Sequence, residues 1–431
     1  MGAVSTSPRS VAERLADTPS VRDVVLNAAR AAREMAGAEG AGGAGAGHGD
    51  AAGGVESPGF GAGAGSAAMT HSWVFTGAPG SGRSQAALAF AAALECAGEE
   101  PGCGRCEACR AVLDGAHTDV VHVVPQALSI GVDYVRETII AGAHRLPTVS
   151  PWRVVIIEDA DRLSASAADA LLKTVEEPPS RTVMIFCAPS TDPQDFSTTL
   201  RSRCRHVYVP SPSVEEITRL LVAEEGATEN DARLAAQASL RHIGRARRLV
   251  TTPSMQQRRA AVLGLAELIR HGDQAFQAMY TLVKTIEKEA TEAFAEADAA
   301  EREKLERSLG AGGRGKGAQK ATRGSAGMVK ELEKAQKMRT TRRRRDLLDL
   351  ALVDLSGLYR DALLRAVGAT VEPVHPDFSG LAGELADSVG ERGLVECLDA
   401  IAVCRRHITE NVQFSIATDG LVGRLRQAYG V

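Results

Sequence analysis

The segment Gly77-Ala-Pro-Gly80-Ser-Gly82-Arg83-Ser84 constrains the fold of this chain more than any other. It follows the apolar run Trp73-Val-Phe-Thr76 and precedes Gln85–Leu94, which reads as a helix. Strand, glycine loop and helix in this order predict a phosphate-binding turn. The glycines let backbone N–H groups wrap around an anion, and the helix N-terminus adds a favourable dipole. Further strand-like runs at Val120–Val124, Arg153–Ile157 and Thr182–Cys187 alternate with helical stretches. That alternation predicts a parallel sheet covered by helices. The loop departs from its usual pattern at Arg83, where a Lys is expected. A compact ammonium reaches terminal phosphates; a planar guanidinium is bulkier and not equivalent. Gly77, Gly80, Gly82, Arg83 and Ser84 therefore predict the geometry of a nucleotide site, with binding of ATP and Mg²⁺ expected to be weak. The alternative is a glycine turn that only joins strand to helix.

Cys96, Cys103, Cys106 and Cys109 form a second cluster, Cys-x6-Cys-x2-Cys-x2-Cys. Four thiolates this close suit tetrahedral zinc with no open position, a structural site that would anchor a loop lacking a core of its own. The alternative is four reduced surface thiols. Cys187, Cys204, Cys397 and Cys404 are scattered, and most read as small buried hydrophobes.

Val154-Val-Ile-Ile157 runs directly into Glu158-Asp159-Ala160-Asp161. Carboxylates at the carboxyl end of a buried parallel strand lie beside the phosphate loop, where Glu158 and Asp159 would hold Mg²⁺ and position water. Asp159 stands where a longer Glu is expected, which argues against water activation. Alternatively these carboxylates cap the following helix, which begins near Ser164. After Thr182–Cys187 come Ser190 and Thr191, one of which would sense a phosphate. Then follow Arg201-Ser202-Arg203-Cys204-Arg205. An arginine at the edge of the α/β domain can stabilise charge on a phosphoryl group held by another subunit. The alternative is a solvated basic cluster or a phosphate-backbone contact.

Composition sets the remaining bounds. The 431 residues suffice for two or three domains, and the net charge of −4 excludes a strongly basic nucleic-acid coat. No apolar run is long enough to span a bilayer, and residues 1–9 lack a signal-peptide stretch. These features predict a cytoplasmic protein with no membrane partner. Val21–Met35 reads as a helix, so residues 1–36 are assigned to the helical start of the α/β domain. Residues 37–68, almost wholly Gly, Ala and Ser, read as a disordered insertion. The α/β core spans 69–210 with its cysteine module at 96–109, a small helical unit spans 211–253, and a helical domain spans 254–431. The last is interrupted at 301–345 by a charged stretch, either a partly disordered linker or a long exposed helix. Leu347, Leu350, Val353, Leu355 and Leu358 recur on one helical face, and Leu394, Leu398, Ile401, Ile408 and Leu421 continue such packing. Arg342–Arg345 reads as a solvated charge run, with DNA phosphate as the other reading.

The glycine loop, the four cysteines, Leu128-Ser-Ile-Gly-Val-Asp133, Asp159-Ala-Asp-Arg-Leu163, Ala170-Leu-Leu-Lys-Thr-Val-Glu-Glu-Pro-Pro179 and Ser202-Arg-Cys204 occur in one order. Together, from Met69 to about Pro210, they resemble the bacterial clamp-loader branch of the AAA+ ATPases. Motor subunits of the gamma/tau type are similar but keep the loop Lys and an Asp-Glu pair. This chain has Arg83 and Glu158-Asp159 instead, and Arg83 with the surrounding Met69-Thr-His-Ser-Trp-Val-Phe-Thr76 looks like the delta-prime type of high-GC Gram-positive bacteria. The resemblance implies a RecA-like AAA+ fold with a zinc module, a helical lid and an all-α collar. It also implies a place in the polymerase III holoenzyme, a nucleotidyltransferase complex, with little ATPase of its own. Arg203, flanked by Ser202 and Cys204, would then complete the ATP site of a neighbour, and Arg247 in Gly244-Arg-Ala-Arg247 matches a nucleotide-sensing region. Partners so implied are gamma/tau and delta subunits in a ring and, through the complex, the sliding clamp and primer-template DNA. An ATP-hydrolysing gamma/tau-like motor and a non-enzymatic DNA-binding scaffold stay open as alternatives.

Overall fold

The computed structural model describes residues 9–42, 68–309, 316–410 and 412–431. Contacts divide the chain into two compact units, one of residues 1–125 and 129–212, the other of residues 126–128 and 213–431.

In the first unit, α1 (Val11–Arg14) and α2 (Pro19–Gly42) precede β1 (Ser72–Thr76), α3 (Arg83–Leu94) and α4 (Glu107–Leu113). Next come β2 (Val120–Val123), then α5 (Val132–Tyr134), a π-turn (Val135–Ile140) and α6 (Ala141–Ala143) as one helical stretch. β3 (Arg153–Ile157), α7 (Ala165–Glu176), β4 (Thr182–Ala188), α8 (Thr198–Arg201) and β5 (Arg205–Tyr208) complete it. The five strands form one parallel sheet in the order β2-β3-β4-β1-β5.

Side-chain alternation divides the apolar strands between two cores. Trp73, Phe75, Val154, Ile156, Val183 and Ile185 face one cluster, shared with α1 to α4. Val74, Val155, Ile157, Met184 and Phe186 face the other, shared with the π-turn, α7 and α8. β1, β3 and β4 are therefore buried on both faces, which is why they read as continuous apolar runs. Each fully buried large apolar side chain contributes about 1.5–3 kcal/mol of transfer free energy. α3 is buried through Ala86, Ala87, Ala89, Ala91, Ala92 and Ala93, small side chains that allow close packing on several sides. β5 was not expected. It is a short edge strand whose Arg205, His206 and Tyr208 are exposed, so it carries no apolar signature.

At the amino ends of β2 and β3 a buried carboxylate fixes the loop before β3. Asp119 accepts hydrogen bonds from the Thr148, Val149 and Ser150 N–H groups at 2.9, 2.7 and 3.0 Å, and the Arg153 guanidinium lies 3.6 Å away. Burial works against its charge, but the Val149, Thr148 and Ser150 N–H donors outweigh burial and hold it below the usual carboxylate range. Asp119 thus adds stability above the ordinary carboxylate pKa, and this is lost as pH falls through the lowered value. Asp119→Ala leaves the Arg153 charge without its carboxylate, though its bonds to Gly142 O and Thr118 O remain, and leaves three N–H donors without this acceptor. The expected cost is about 3–5 kcal/mol, read as a lower urea midpoint; an unchanged midpoint would show that the loop is held by other contacts.

In the second unit, α9 (Val214–Glu225), α10 (Glu229–Ala238) and α11 (Ile243–Thr251) enclose a small core of Ile217, Leu221, Ala232, Ala236 and Ala246. A larger core gathers α12 (Pro253–Leu268), α13 (Asp273–Glu292), the C-terminal half of α15 (Lys316–Ala366), α16 (Ser379–Thr409) and α17 (Phe414–Ala428). Leu347, Leu355 and Leu358 are buried there, as are Leu394, Ile401, Ile408 and Leu421; Leu350, Val353 and Leu398 are half-buried. Buried Arg245 on α11 pairs with Asp354 on α15, joining the small core to the large one.

The stretch 301–345 is largely helical, in α14 (Ala295–Ser308) and the first half of α15, with 310–315 outside the described residues. Arg342–Arg345 is half-buried rather than solvated, because Arg343 and Arg344 pair with Glu289 and Glu287 of α13. Of the Gly/Ala-rich stretch 37–68, residues 37–42 continue α2, whereas 43–67 lie outside the described residues.

Candidate nucleotide-type site and metal centre

The parallel sheet brings the carboxyl ends of β1, β4 and β3 side by side. Three loops seen as separate in sequence therefore meet at one edge of the sheet. Gly77, leaving β1, donates its N–H to Pro189 O at 3.1 Å, tying the glycine loop to the loop that carries Ser190 and Thr191. A Cβ at Gly77 would lie 2.3 Å from Val209 O, so only glycine fits. Gly80 and Gly82 adopt left-handed φ values of 87° and 91°, and Gly82 caps α3.

Four side chains expected to serve a nucleotide, Arg83, Ser84, Glu158 and Asp159, are engaged within the protein. Arg83 folds back over its own loop, donating from Nη1 to Gly77 O at 2.6 Å, with Nη2 3.9 Å from Asp159 Oδ1. Ser84 Oγ donates to Glu158 Oε2 at 2.5 Å. The other oxygen of Glu158 meets His122 Nε2 at 3.0 Å. Asp159 holds a left-handed φ of 47° and also lies 3.6 Å from Arg162 Nε. Helix α7 is capped by Ser164, whose hydroxyl accepts from Ala167 N, and not by the carboxylates. Burial raises the Asp161 carboxyl, and the Asp159 charge adds to that rise. The loop makes the expected glycine turn into α3. The cation and carboxylate that a Mg-nucleotide would use are bonded to Gly77, Ser84 and His122.

His122 was not singled out in the sequence. It stands in a Val-rich strand, in register with Ile156, one position before β2 ends. A polar residue there, at the carboxyl edge of the sheet, was the available signal.

Ser190 is turned to its own loop, donating to Asp195 Oδ2 at 2.7 Å. Thr191 beside it is half-buried. Ser202 and Arg203 follow α8. Arg203 donates to Thr199 O at 2.9 Å and pairs with Glu176 of α7 at 2.6 Å, with the two side chains 37% and 44% exposed. Glu176, in the Leu-Leu-Lys-Thr-Val-Glu run, is a partner that sequence reading missed. Cys204 packs on the sheet's second core, and burial pushes its thiol up to about 12, so it is an inert neutral group. Arg247 lies in the second unit, held by Glu224 and Glu225 at 2.5 and 2.6 Å.

The four cysteines converge. All four Sγ atoms lie within 4.8 Å of one another, with Cys96 and Cys106 at 4.0 Å. A single ion with metal–sulfur bonds of about 2.3 Å places tetrahedral sulfurs about 3.8 Å apart, so the cluster is suited to a structural metal such as zinc. Gly98, Cys103, Cys106 and Cys109 aim backbone N–H groups at the sulfurs at 3.3–3.4 Å. Burial alone would raise Cys103, but N–H groups of Arg105 and Cys106 and the Cys96 and Cys106 thiols bring it down to about 6. Burial raises Cys109. Arg33 of α2 clamps the module by donating to the carbonyls of Cys96, Gly98 and Glu99 at 2.8, 2.9 and 2.6 Å.

Residues 60–213 match a protein-family model described as DNA polymerase III, delta subunit. The chain is 33% identical over 211 residues to DNA polymerase III subunit delta' of Escherichia coli, covering 47% of this chain and 61% of that one. It is 36% identical over 140 residues to subunit tau of Bacillus subtilis, covering 32% and 24% respectively. It is 32% identical over 170 residues to subunit gamma/tau of Mycobacterium bovis, covering 38% and 29%. The chain thus spans between about a quarter and three-fifths of the length of these relatives. Among the described residues no helix is long and apolar enough to cross a membrane.

Proposed function

We propose, for a chain whose residues 60–213 belong to the DNA polymerase III delta/delta-prime clamp-loader family, that it serves as a delta-prime-type subunit. Its partners are gamma/tau and delta subunits, and the complex places a sliding clamp on primed DNA. The small helical bundle of α9 to α11 acts as lid and the bundle of α12 to α17 as collar. The observation that carries this reading is Arg203. It sits in the turn between α8 and β5 at the domain surface, held by an exposed carboxylate that it can leave at a cost of at most about 1 kcal/mol. In the assembly Arg203 stabilises charge on a phosphoryl group in the neighbour's ATP site, with Ser202 and the partly buried Cys204 fixing its place.

The chain's own phosphate loop, in this reading, holds shape rather than turning over ATP. A triphosphate entering it must displace the bond from Arg83 to Gly77 O, worth about 1.5–3 kcal/mol for a charged donor. Arg83→Lys is expected to tighten ATP binding to the isolated chain about tenfold or more, by titration calorimetry. Equal affinities would mean that Arg83 does not occlude the loop, and a gamma/tau-like motor would regain ground. Zinc in the four-cysteine module is structural, supplying no reactive position.

The direct test is reconstitution with gamma/tau and delta partners, scoring clamp- and DNA-stimulated ATPase with and without this chain. Full activity without it would sink the proposal.

A further inference from the structure

α14 and residues 327–345 of α15 are bound side by side. Gln336 donates to Asp298 O at 3.0 Å, Arg339 pairs with Glu301 at 2.9 Å and with Asp298, and Arg302 pairs with Glu333 at 3.0 Å. Leu332 and Met328 line one cavity with Leu305 of α14. Leu332, Gln336 and Arg339 follow i, i+4, i+7 spacing, so they share one helix face, and that face is spent on α14. At 100° per residue, Lys330, Lys334 and Lys337 fall on the opposite face. All three are exposed. Lys330 and Lys337 have no ion pair among the described residues, and Lys334 has one loose contact, Glu331 at 3.9 Å.

The stretch 327–345 holds eight Lys or Arg against two Glu in a chain whose net charge is −4. The arginines are engaged inside the unit, by α13 and α14 among others, while the lysines are left facing out. From these placements we propose that Lys330, Lys334 and Lys337 form a rail for the phosphate backbone of duplex DNA. The rail runs about 10 Å along the helix at 1.5 Å per residue, alongside a polyanion carrying one charge per about 1.7 Å of its axis. Compact, flexible ammonium groups suit phosphate contacts, which position a protein without reading bases. An anionic membrane is the poorer match, because a surface-lying helix needs an apolar face to bury and α15 has given that face to α14. The rail is independent of Arg203 and of how the phosphate loop is used.

The test is binding of the full chain to a fluorescent duplex of about 20 base pairs between about 50 and 200 mM salt. Releasing the counterions of three phosphates gives the wild type a log–log salt slope steeper by about 2.7 than that of the variant with Lys330, Lys334 and Lys337 all changed to Ala. The same three positions changed to Arg should keep the wild-type slope, and a scrambled duplex should bind equally. Equal slopes for wild type and the Ala variant would overturn the proposal, as would loss of binding in the Arg variant. Lysine-dependent binding to phosphatidylserine vesicles with none to DNA would assign the rail to a membrane and likewise overturn it.

Discussion

Arg203→Ala is expected to lower the clamp- and DNA-stimulated ATPase of the reconstituted loader roughly 10³-fold or more, with assembly intact. A thousandfold loss is about 4 kcal/mol of transition-state stabilisation. No contact of Arg203 inside this chain supplies a term of that size. Its pair with Glu176 is exposed on both sides, and such pairs contribute about 0.2–1 kcal/mol. A large effect on rate beside a small effect on the chain's own melting therefore separates action on a neighbour from a local structural role. Arg203→Lys should recover little, because a point charge does not reproduce the planar fork that grips phosphoryl oxygens. Unchanged ATPase with Ala at this position would remove the trans-acting arginine and leave a scaffold as the better account.

Loss of the metal should have the second large effect. Structural zinc sites of this ligand type bind with about 10–16 kcal/mol of apparent free energy near neutral pH, and that energy is folding energy. The segment 96–109 has little else to order it. Its buried members are Cys96, Pro101, Gly102, Gly104 and Cys109, with no large apolar side chain among them, and Arg33 holds it through backbone carbonyls. The variant carrying Cys103→Ser and Cys106→Ser should lose one zinc per chain by elemental analysis. Its first unit should melt at a markedly lower temperature, with early proteolysis between α3 and α4. Strong chelators should act in the same direction on the wild type. A wild-type chain that contains no metal and melts unchanged with chelator would reduce the cluster to reduced thiols. An iron–sulfur cubane is disfavoured by the same geometry, since thiolates within 4.8 Å of one another suit one ion better than four separate iron corners.

The local sequence by itself determined the elements whose chemistry is local. β1, β3 and β4 were legible because strands buried on both faces must be apolar at every position. The glycine loop was legible because Gly77 and Gly82 occupy positions where a side chain would clash or strain the backbone. The cysteine module was legible because its four ligands lie within fourteen residues, so chain spacing alone keeps them within reach of one ion. Tertiary structure decided what those elements touch. That Ser84 and His122 share Glu158, and that Glu176 holds Arg203, depends on how the chain folds, which joins residues tens of positions apart; that Arg83 turns back on Gly77, six residues away, is set by the shape of the loop itself. The edge strand β5 was illegible because only its pairing with β1, and no apolar period, defines it. Arg342–Arg345 read as solvated because one-dimensional sequence shows the charges but not Glu287 and Glu289 on α13 that meet them. Periodicity reports which face of an element is buried; the partner across that face is fixed only when the chain folds.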